Sequence, residues 1–342
     1  GRGAAARAGG AAGTCAPPPV GGGGVEDSQR LSPAMREHFR TAKKNIDANI
    51  IHHSGGVAAP RGGSGKFPYS SPLILPKCAT MQNSSGLPKL SPFLLKPLFA
   101  WIPEYLFPEL ALAGIPCPRC GKRGSPDGWN PKGPRRVFME EDVGYIIGFR
   151  YKCERCVEYN GTVEESEEGP TSFNAWDVGC LDRLPDYVSK EFPFILTHRS
   201  GIDIRLVDRL ADDLVHGKDF SAAAKYIRQA HTTKFMVNQL KYVSLADARR
   251  SSRVSLFGAA PVPEKFGSFD DTEKYSGAVP SDYYLRDVWR TYFSELPVLE
   301  VEGVKWTRKD YLHRMLRSSL RRSFGLGQQR TESAPAPCTA FS

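Results

Sequence analysis

Two Cys-x-x-Cys pairs constrain this chain more than any other feature of its sequence. Cys117 and Cys120 form the first pair, Cys153 and Cys156 form the second, and 32 residues separate them. Each such turn places two thiolates around one ion, and two turns complete the tetrahedral four-sulfur set that zinc accepts. Four protein ligands leave no open position for water. The spacing therefore predicts a structural rather than a catalytic Zn2+ site at these four cysteines.

The residues near the first pair favour a zinc knuckle. Pro118 lies inside the turn, and Gly121 follows it at a position that needs a residue tolerant of positive φ. Between the pairs, residues 135–139 and 144–151 are rich in β-branched and aromatic side chains, and the acidic residues 140–142 suit a turn. We therefore expect a β-hairpin that returns the chain to the second pair, with each cysteine turn on its own hairpin, as in a four-cysteine zinc ribbon.

Other interpretations of the cysteines remain at this level. A redox dithiol needs one pair on a thioredoxin-like turn and leaves the second pair unexplained. Tetrathiolate iron, as in rubredoxin, uses similar geometry, so zinc and iron stay open alternatives. Cys180 and His198 are further potential ligands, but we interpret Cys180 as a small buried residue and His198 as a hydrogen-bonded structural histidine.

The composition narrows the classes of function. The net charge of +9 and the isoelectric point near 9.1 favour polyanionic partners, because Lys and Arg release counterions from phosphates. The chain contains no uninterrupted apolar run of about 20 residues and no leucine-rich secretory signal, which predicts an intracellular location without a membrane span. Residues 61–66 imitate a phosphate-binding loop, but Pro60 and Phe67 replace its first glycine and its Ser or Thr. We therefore expect no small-molecule substrate.

The distribution of glycine and apolar residues predicts an α+β chain with a long disordered N-terminal tail, because 14 of the 33 glycines lie in the first 65 residues. Within that tail, one short polar helical patch is expected at 32–48. The predicted divisions are a low-complexity tail at 1–65, a zinc-ribbon domain with an apolar lead-in at 66–200, a helical region at 201–257, a linker at 258–279, a helical, basic C-terminal region at 280–325 and a disordered tail at 326–342.

Two helices are predicted after the ribbon. Apolar residues recur at three and four positions within 202–215, and Gly217 supplies a stop, while a second helix opens near Ser221. Together they form a candidate helix-turn-helix in which Lys225, Arg228, His231 and Lys234 line the second helix. The alternative is an ordinary amphipathic helix with a solvated polar stripe. A third helix is expected after Pro280, with a cap from the Ser and Asp that follow.

Basic residues are concentrated between the outer cysteines, where nine Lys or Arg face five acids. A ribbon could present them to phosphates, with Trp129 and Tyr151 stacking on bases. The alternative is a solvated hairpin with Trp129 packed on the ribbon. The candidate nucleic-acid-binding residues are Arg119, Lys122, Arg123, Arg135, Arg136, Arg150, Lys152, Lys225 and Arg228.

An ordered string of motifs extends through much of the chain. It runs Pro-Cys-Pro-Arg-Cys-Gly at 116–121, Gly-Trp at 128–129, Arg-Arg-Val at 135–137, Tyr145, Tyr-Lys-Cys-Glu-Arg-Cys at 151–156, a block at 192–203 and Ser-Asp-Tyr-Tyr-Leu-Arg-Asp at 281–287. This string resembles an uncharacterised zinc-ribbon domain of transposase-like, mobile-element-derived proteins of fungi and some animals, and the resemblance covers about residues 90 to 297.

The resemblance implies metal-ligand roles for the four cysteines. In relatives of this kind, a segment with Asp-His-Ser/Thr-Phe-Lys follows and resembles the first strand of a ribonuclease-H-like nuclease. This chain has no such motif after Pro297. We therefore predict a nuclear, zinc-stabilised module without catalytic residues that binds DNA or, as a second choice, RNA. The alternative is a protein-interaction scaffold whose zinc only shapes a docking surface.

Overall fold

The computed structural model describes residues 31–50, 66–76, 86–164, 168–251, 262–295, 300–301 and 304–305. None of the helices in these ranges is both long and apolar enough to cross a bilayer. The helices are α1 (Pro33–Asn49), α2 (Ser91–Leu94), α3 (Pro103–Leu106), α4 (Leu110–Ala113), α5 (Glu154–Asn160), α6 (Val178–Leu181), α7 (Asp186–Ser189), α8 (Ile204–Val215), α9 (Phe220–Ser251) and α10 (Asp282–Glu295). The strands are β1 (Leu73–Ile74), β2 (Leu98–Trp101), β3 (Ile115–Pro116), β4 (Arg123–Trp129), β5 (Arg135–Phe138), β6 (Val143–Lys152), β7 (Ser172–Asn174), β8 (Phe194–Leu196), β9 (Gly201–Asp203), β10 (Glu300–Val301) and β11 (Val304–Lys305).

Strand β6 organises the mixed α+β fold. Its first half pairs in parallel with β2 and antiparallel with β5, and its last residues pair antiparallel with β4 and β7. The main sheet runs β1-β2-β6-β5-β9-β8, and β3 joins it through β4. Residues 143–149 are buried, as expected for a central strand covered on both faces. One strand thus connects the core of the sheet to the second cysteine pair.

The predicted hairpin between the cysteine pairs is confirmed as β5 and β6. The Met139 N–H donates to the Asp142 carbonyl at 3.0 Å and closes the expected turn. Strand β4 was not predicted, because Gly124, Pro126 and Gly128 all weaken a strand signal. Its pairing with β6 shifts register between Pro126 and Trp129, which accommodates these residues.

Helix α1 corrects the predicted tail. Ser32 caps it, and Pro33 occupies the first helical position as expected. Its buried face, however, makes it a core element: Met35, Phe39 and Ile46 are at most 5% exposed. The prediction of a tail at 1–65 is therefore wrong over residues 31–50. The remainder of that tail, including most of 61–66, lies outside the described residues, as do 306–342.

The helical region contains both predicted helices. Asp203 accepts a hydrogen bond from the Arg205 N–H and caps α8, and Gly217, with a φ of 78°, follows it at the predicted stop. In α9 the prediction of a polar stripe is wrong for His231, which is buried and places its two ring nitrogens 3.0 and 2.9 Å from the carbonyl oxygens of Ala278 and Met139. Lys234 forms an ion pair with Glu141.

Residues 262–280, here called the strap, correct the predicted linker. Phe266 and Tyr275 of the strap are buried in an aromatic cluster with Phe235 and Tyr242 of α9. Beneath the cluster, Lys96 donates to the Asp142 carboxylate at 2.7 Å and lies 3.1 Å from the centroid of the Tyr275 ring. Burial lowers the pKa of Lys96 to about 8, although Asp142 opposes this shift.

The larger of the two hydrophobic clusters in the described ranges extends from Leu31 to Val288. It includes residues of the predicted ribbon domain, of both helices in 201–257 and of α10, whose Tyr284 N–H donates to Ser281 at the expected cap. The predicted divisions therefore share one core. The four cysteines lie at one end of it, where β3, β4 and β6 meet.

Candidate metal centre

The four predicted cysteines come together at one point. Their Sγ atoms all lie within 4.8 Å of one another. The Cys117 and Cys156 sulfurs are 3.7 Å apart, and those of Cys120 and Cys153 are 3.5 Å apart. These separations exclude disulfides, whose S–S bond is about 2.05 Å. Every cysteine in the described ranges is a free thiol.

The first pair occupies a tight turn between β3 and β4. The Gly121 N–H donates to the Cys117 carbonyl at 2.9 Å, and the Cys117 N–H donates to the Lys122 carbonyl at 2.8 Å. Gly121 has a φ of 72°, which a residue with a Cβ rarely adopts. The expectation that Gly121 follows this turn at a position of positive φ is therefore confirmed.

The second pair differs from the prediction. Cys153 is the N-cap of α5, and Cys156 lies in the first turn of that helix. The turn was expected on a hairpin of its own, as in a zinc ribbon, but strand β6 leads directly into a helix. An i, i+3 spacing brings two side chains to the same face of a helix, so the pair can converge on one ion without a second hairpin.

The environment of the sulfurs suits a cation. Burial opposes ionisation of Cys120, but hydrogen bonds from the Lys122 backbone N–H and from the neighbouring thiols outweigh it and lower its pKa to about 7. Burial raises the pKa of Cys153, and burial together with the adjacent thiols raises the pKa of Cys156. Several thiolates cannot ionise side by side unless a positive charge compensates them.

The separations also fit a tetrahedral ion. A metal to sulfur distance of about 2.3 Å implies tetrahedral edges of about 3.8 Å between sulfurs. Two of the observed separations lie within 0.3 Å of that value. Cys117, Cys153 and Cys156 are at most 2% exposed, and Cys120 is partly buried. In the described part of the chain, these four residues form the one group of three or more His, Cys, Asp or Glu that could hold a metal ion.

A buried acid supports the strand that carries the second pair. The Tyr151 hydroxyl donates to the Glu104 carboxylate, at 2.7 and 2.6 Å from its two oxygens. Burial raises the pKa of Glu104 to about 7, although the bonds from Tyr151 and the charge of Arg123 oppose this shift. Tyr151 also stacks on Phe173 of β7. The predicted role of Tyr151 in stacking on bases is therefore wrong, because the whole side chain is inside the protein.

Trp129 is half-buried against α1 and β6. Its indole N–H donates to the Asp47 carboxylate of α1 at 3.0 Å, and its ring meets Phe149 edge-on at 4.7 Å between centroids. This packing agrees with the alternative interpretation, in which Trp129 packs on the ribbon. The expected burial of Cys180 is confirmed, whereas His198 is exposed. Neither Cys180 nor His198 belongs to the four-residue cluster.

Several predicted basic residues share one surface beside the cysteines. Strand alternation places Arg123 of β4 and Arg150 and Lys152 of β6 on the side of the sheet opposite the buried Tyr151. Ser125 and Ser172 lie opposite Lys152 on the two neighbouring strands. We call this surface the outer face; it consists of Arg123, Ser125, Asp127, Arg150, Lys152, Ser172 and Asn174. Glycine is required beneath it at 124, where a Cβ would lie 2.6 Å from the Phe173 ring.

The other predicted basic residues are dispersed. Arg119 donates to Asn160 at 2.7 Å and packs over Tyr159, so it joins the first cysteine turn to α5. Arg135 and Arg136 are half-buried on β5. Lys225 and Arg228 are exposed on α9, which packs against α2, α8 and α10. Lys122 is exposed in the first cysteine turn.

Two features of the site were missed by sequence reasoning. Glu104 carries no local signal of burial, because its partner Tyr151 is 47 residues away. The pairing of β4 and β7 with the end of β6 was also missed. Its only sequence signal was the alternation of polar and apolar residues in Ser172–Asn174.

The fold and the site define a mixed α+β protein with a buried four-cysteine centre at the end of its sheet. Residues 75–288 match the family described as Domain of unknown function (DUF6729). The chain belongs to this family. No curated protein and no solved structure matches it.

Proposed function

We propose that this chain is a zinc-stabilised nucleic-acid-binding module of a nuclear, transposase-like protein and that it has no catalytic centre. The observation that carries the proposal is the outer face, which is built on β4, β6 and β7 beside the cysteines. Arg123, Lys152 and two serine hydroxyls are exposed there and Arg150 is half-buried, next to Lys122 in the cysteine turn. Phosphates are bound by this mixture of Arg, Lys, Ser and Asn side chains.

The charge of the outer face favours an anion. Its one acid, Asp127, forms an ion pair with Arg150. Arg123 uses one guanidinium nitrogen to donate to the Leu112 carbonyl and keeps other N–H groups exposed. Lys152 is exposed between the two serines. A positive surface of this size attracts polyanions and loses them as salt increases.

The chemistry of the outer face favours duplex over single-stranded nucleic acid. Binding of single strands depends on aromatic side chains on which bases stack. Both aromatic residues predicted for this role, Trp129 and Tyr151, point away from the outer face and pack inside. Contacts to a duplex backbone need no aromatic residue. Because RNA is mostly recognised through unstacked single-stranded bases, we place DNA first and RNA second among the partners.

Zinc is the proposed occupant of the centre, in a structural role. Elemental analysis of protein purified without added metal tests it, and about one equivalent of zinc per chain is expected. Iron would instead give the visible absorption of a tetrathiolate iron centre. A folded sample that holds neither metal would refute the centre.

Charge reversal on the outer face tests nucleic-acid binding. We expect Arg123→Glu with Lys152→Glu to weaken binding of a mixed 20-base-pair duplex at least 10-fold at low salt. The slope of log affinity against log salt should also fall by about 2, because each lost phosphate contact contributes about 0.9. The matched control is Lys225→Glu with Lys241→Glu, the same charge change on α9. If only the α9 variant weakens binding, the helix-turn-helix location replaces the outer face.

The protein-interaction scaffold is the alternative outcome of the same measurement. Zinc-loaded protein that ignores both duplex and single-stranded oligonucleotides at low salt would remove the nucleic-acid proposal. The metal would then serve only to hold the strands of a protein-binding surface in place.

A further inference from the structure

An apolar stripe lies on the solvent side of α9. Met236, Val237, Leu240 and Val243 are 60%, 40%, 67% and 52% exposed. At about 100° per residue, these four side chains occupy an arc of about 120° centred on Leu240. The opposite side of the helix carries the buried residues, among them Phe235 and Tyr242. The stripe is therefore a second apolar face, and contiguous exposed apolar surface of this kind marks interaction sites.

Helix α9 has a strong excess of positive over negative side chains. The helix contains six Lys or Arg and a single acid, Asp247. Lys225 and Arg250 are exposed toward its two ends, and Lys241 is exposed at the margin of the stripe. At 1.5 Å per residue, Lys225 and Arg250 are separated by about 38 Å along the axis. Asp247 is exposed on the same face, one turn beyond Val243, so the surface is an apolar centre between ends whose net charge is positive.

We propose that this face of α9 binds an acidic amphipathic helix of a protein partner. The apolar residues of that helix would cover Leu240 and its neighbours, and its carboxylates would approach Lys241 and Arg250. In this binding mode an amphipathic helix packs on an apolar surface, and its apolar contact residues recur at spacings of three and four residues. Complementary charge supplies orientation and excludes unsuitable partners.

Charge argues against the other occupants. A second copy would bring two helices with six cations and one acid each into contact, which is unfavourable. Residues 305–330 of the chain contain eight Lys or Arg and one acid, so they carry the wrong sign as well. Nucleic acid is disfavoured because its phosphates gain nothing from an apolar centre. This site is independent of the outer face.

The experiment uses the full-length, zinc-loaded protein and a labelled 18-residue designed peptide. The peptide has Leu at spacings of three and four and Glu elsewhere; a scrambled peptide and one with Lys in place of Glu are controls. We expect saturable binding of the acidic peptide, measured by fluorescence anisotropy, at least 10-fold tighter than either control. Leu240→Glu should weaken it at least 10-fold, whereas Leu75→Glu, a substitution at a site 63% exposed on another part of the surface, should leave it unchanged.

Three outcomes would overturn the proposal. The first is equal binding of the acidic and scrambled peptides. The second is a dimer in light scattering that Leu240→Glu dissociates, because the occupant would then be a second copy. The third is slow thiol labelling of Leu240→Cys relative to Leu75→Cys without peptide, because the chain itself would then cover the stripe. The folding and zinc content of Leu240→Glu are measured as a control. If both are normal, a loss of peptide binding reports on the apolar stripe rather than on unfolding.

Discussion

The cysteine end of the sheet and the strap side of the molecule are held together by different chemistry. At the cysteine end, short strands and a seven-residue helix converge on four thiols. On the strap side, a long helix and an irregular segment share aromatic contacts, with Phe235 of α9 4.9 Å from Tyr275 between ring centroids. We propose that the first arrangement depends on an ion; the second contains its own partners.

The two regions also differ in how their buried polar groups are paired. Lys96, Asp142 and Tyr275 satisfy one another on the strap side, where the Tyr275 hydroxyl also donates to Asp142 at 3.3 Å. Within the described ranges, the thiols of the cysteine end contact one another and the Lys122 N–H rather than a cationic side chain. We infer that the cysteine end is conditional on metal and on a reducing environment, while the strap side is stable without either.

The largest effect is expected from removing one metal ligand. Cys156→Ser leaves three sulfurs, and the apparent free energy of a structural zinc site is on the order of 10 kcal/mol, comparable to the whole stability of a domain. We expect zinc to fall below about half an equivalent. Amide hydrogen exchange should lose protection in β4, β7 and α5 first and keep it longer in α9.

The control for this variant is Cys180→Ala, which removes a buried thiol outside the cluster. It should retain zinc and lose only about 1 kcal/mol, as is usual for a small core truncation. Equal loss of protection in α9 and in the cysteine end after Cys156→Ser would show that the two regions unfold as one.

A smaller effect is expected from Asp142→Asn on the strap side. The substitution leaves the buried Lys96 ammonium without its counter-charge, which costs about 3 to 5 kcal/mol in the free energy of unfolding. Chemical denaturation measures this loss. Zinc content should remain at one equivalent, because the cysteines are untouched.

The exposed pair of Lys190 with Asp186 provides the matched control. Asp186→Asn should cost less than about 1 kcal/mol, since a surface ion pair contributes little. Loss of zinc from Asp142→Asn would break the distinction between the two regions, because the strap side would then support the metal centre.

The next effect is a pH dependence at the cysteine end. The pKa of Glu104 is raised from 4.5 to about 7, so the folded state binds a proton more tightly than the unfolded chain. Stability therefore falls as pH rises through that window, and the penalty is complete above it. Glu104→Gln removes the ionisation, and we expect the variant to gain about 2 to 3 kcal/mol relative to wild type between pH 5 and pH 8.

Comparing the two zinc-loaded proteins at each pH cancels the titration of the thiols, which affects both. Denaturation midpoints at pH 5, 6, 7 and 8 measure the difference. A constant offset at every pH would mean that Glu104 stays ionised throughout, and the proposed proton on the buried carboxyl would have to be abandoned.

Local patterns predicted much of the cysteine end. The convergence of the four cysteines follows from spacing alone, because two Cys-x-x-Cys turns have few other uses. Gly121 and the β5 to β6 hairpin follow from turn and strand chemistry that acts over a few residues. The place of the second pair on a helix did not follow, since Glu154–Asn160 is too short to show periodicity.

Long-range pairing was not accessible in the same way. Lys96 and Asp142 are 46 residues apart, and nothing near either residue indicates that it is buried. Helix α1 is a different case: Met35, Phe39, Ala42 and Ile46 recur at four, three and four positions, the spacing of a core-facing helix. The glycine-rich neighbourhood concealed a signal that was present. Its contacts with Tyr145 of β6 and Trp129 of β4 show which part of the fold α1 supports.

The smallest effect is expected where α1 meets the sheet. Trp129→Phe keeps an aromatic ring against Phe149 but removes the N–H that donates to Asp47. A hydrogen bond to a charged group contributes about 1.5 to 3 kcal/mol, and water can reach this half-buried acceptor, so a loss near 1 kcal/mol is expected. Asp47→Ala and the double variant complete a mutant cycle, measured by chemical denaturation, and the coupling energy of the cycle isolates this bond.

The zinc content of the same three variants tests whether α1 also supports the metal centre. This test is informative because Trp129 lies on β4, the strand that follows the first cysteine pair. If all three variants retain zinc, α1 stabilises the core without assisting the metal. If Asp47→Ala releases zinc, α1 belongs to the cysteine end. The ion-dependent part of the molecule would then include α1 as well as the strands around the cysteines.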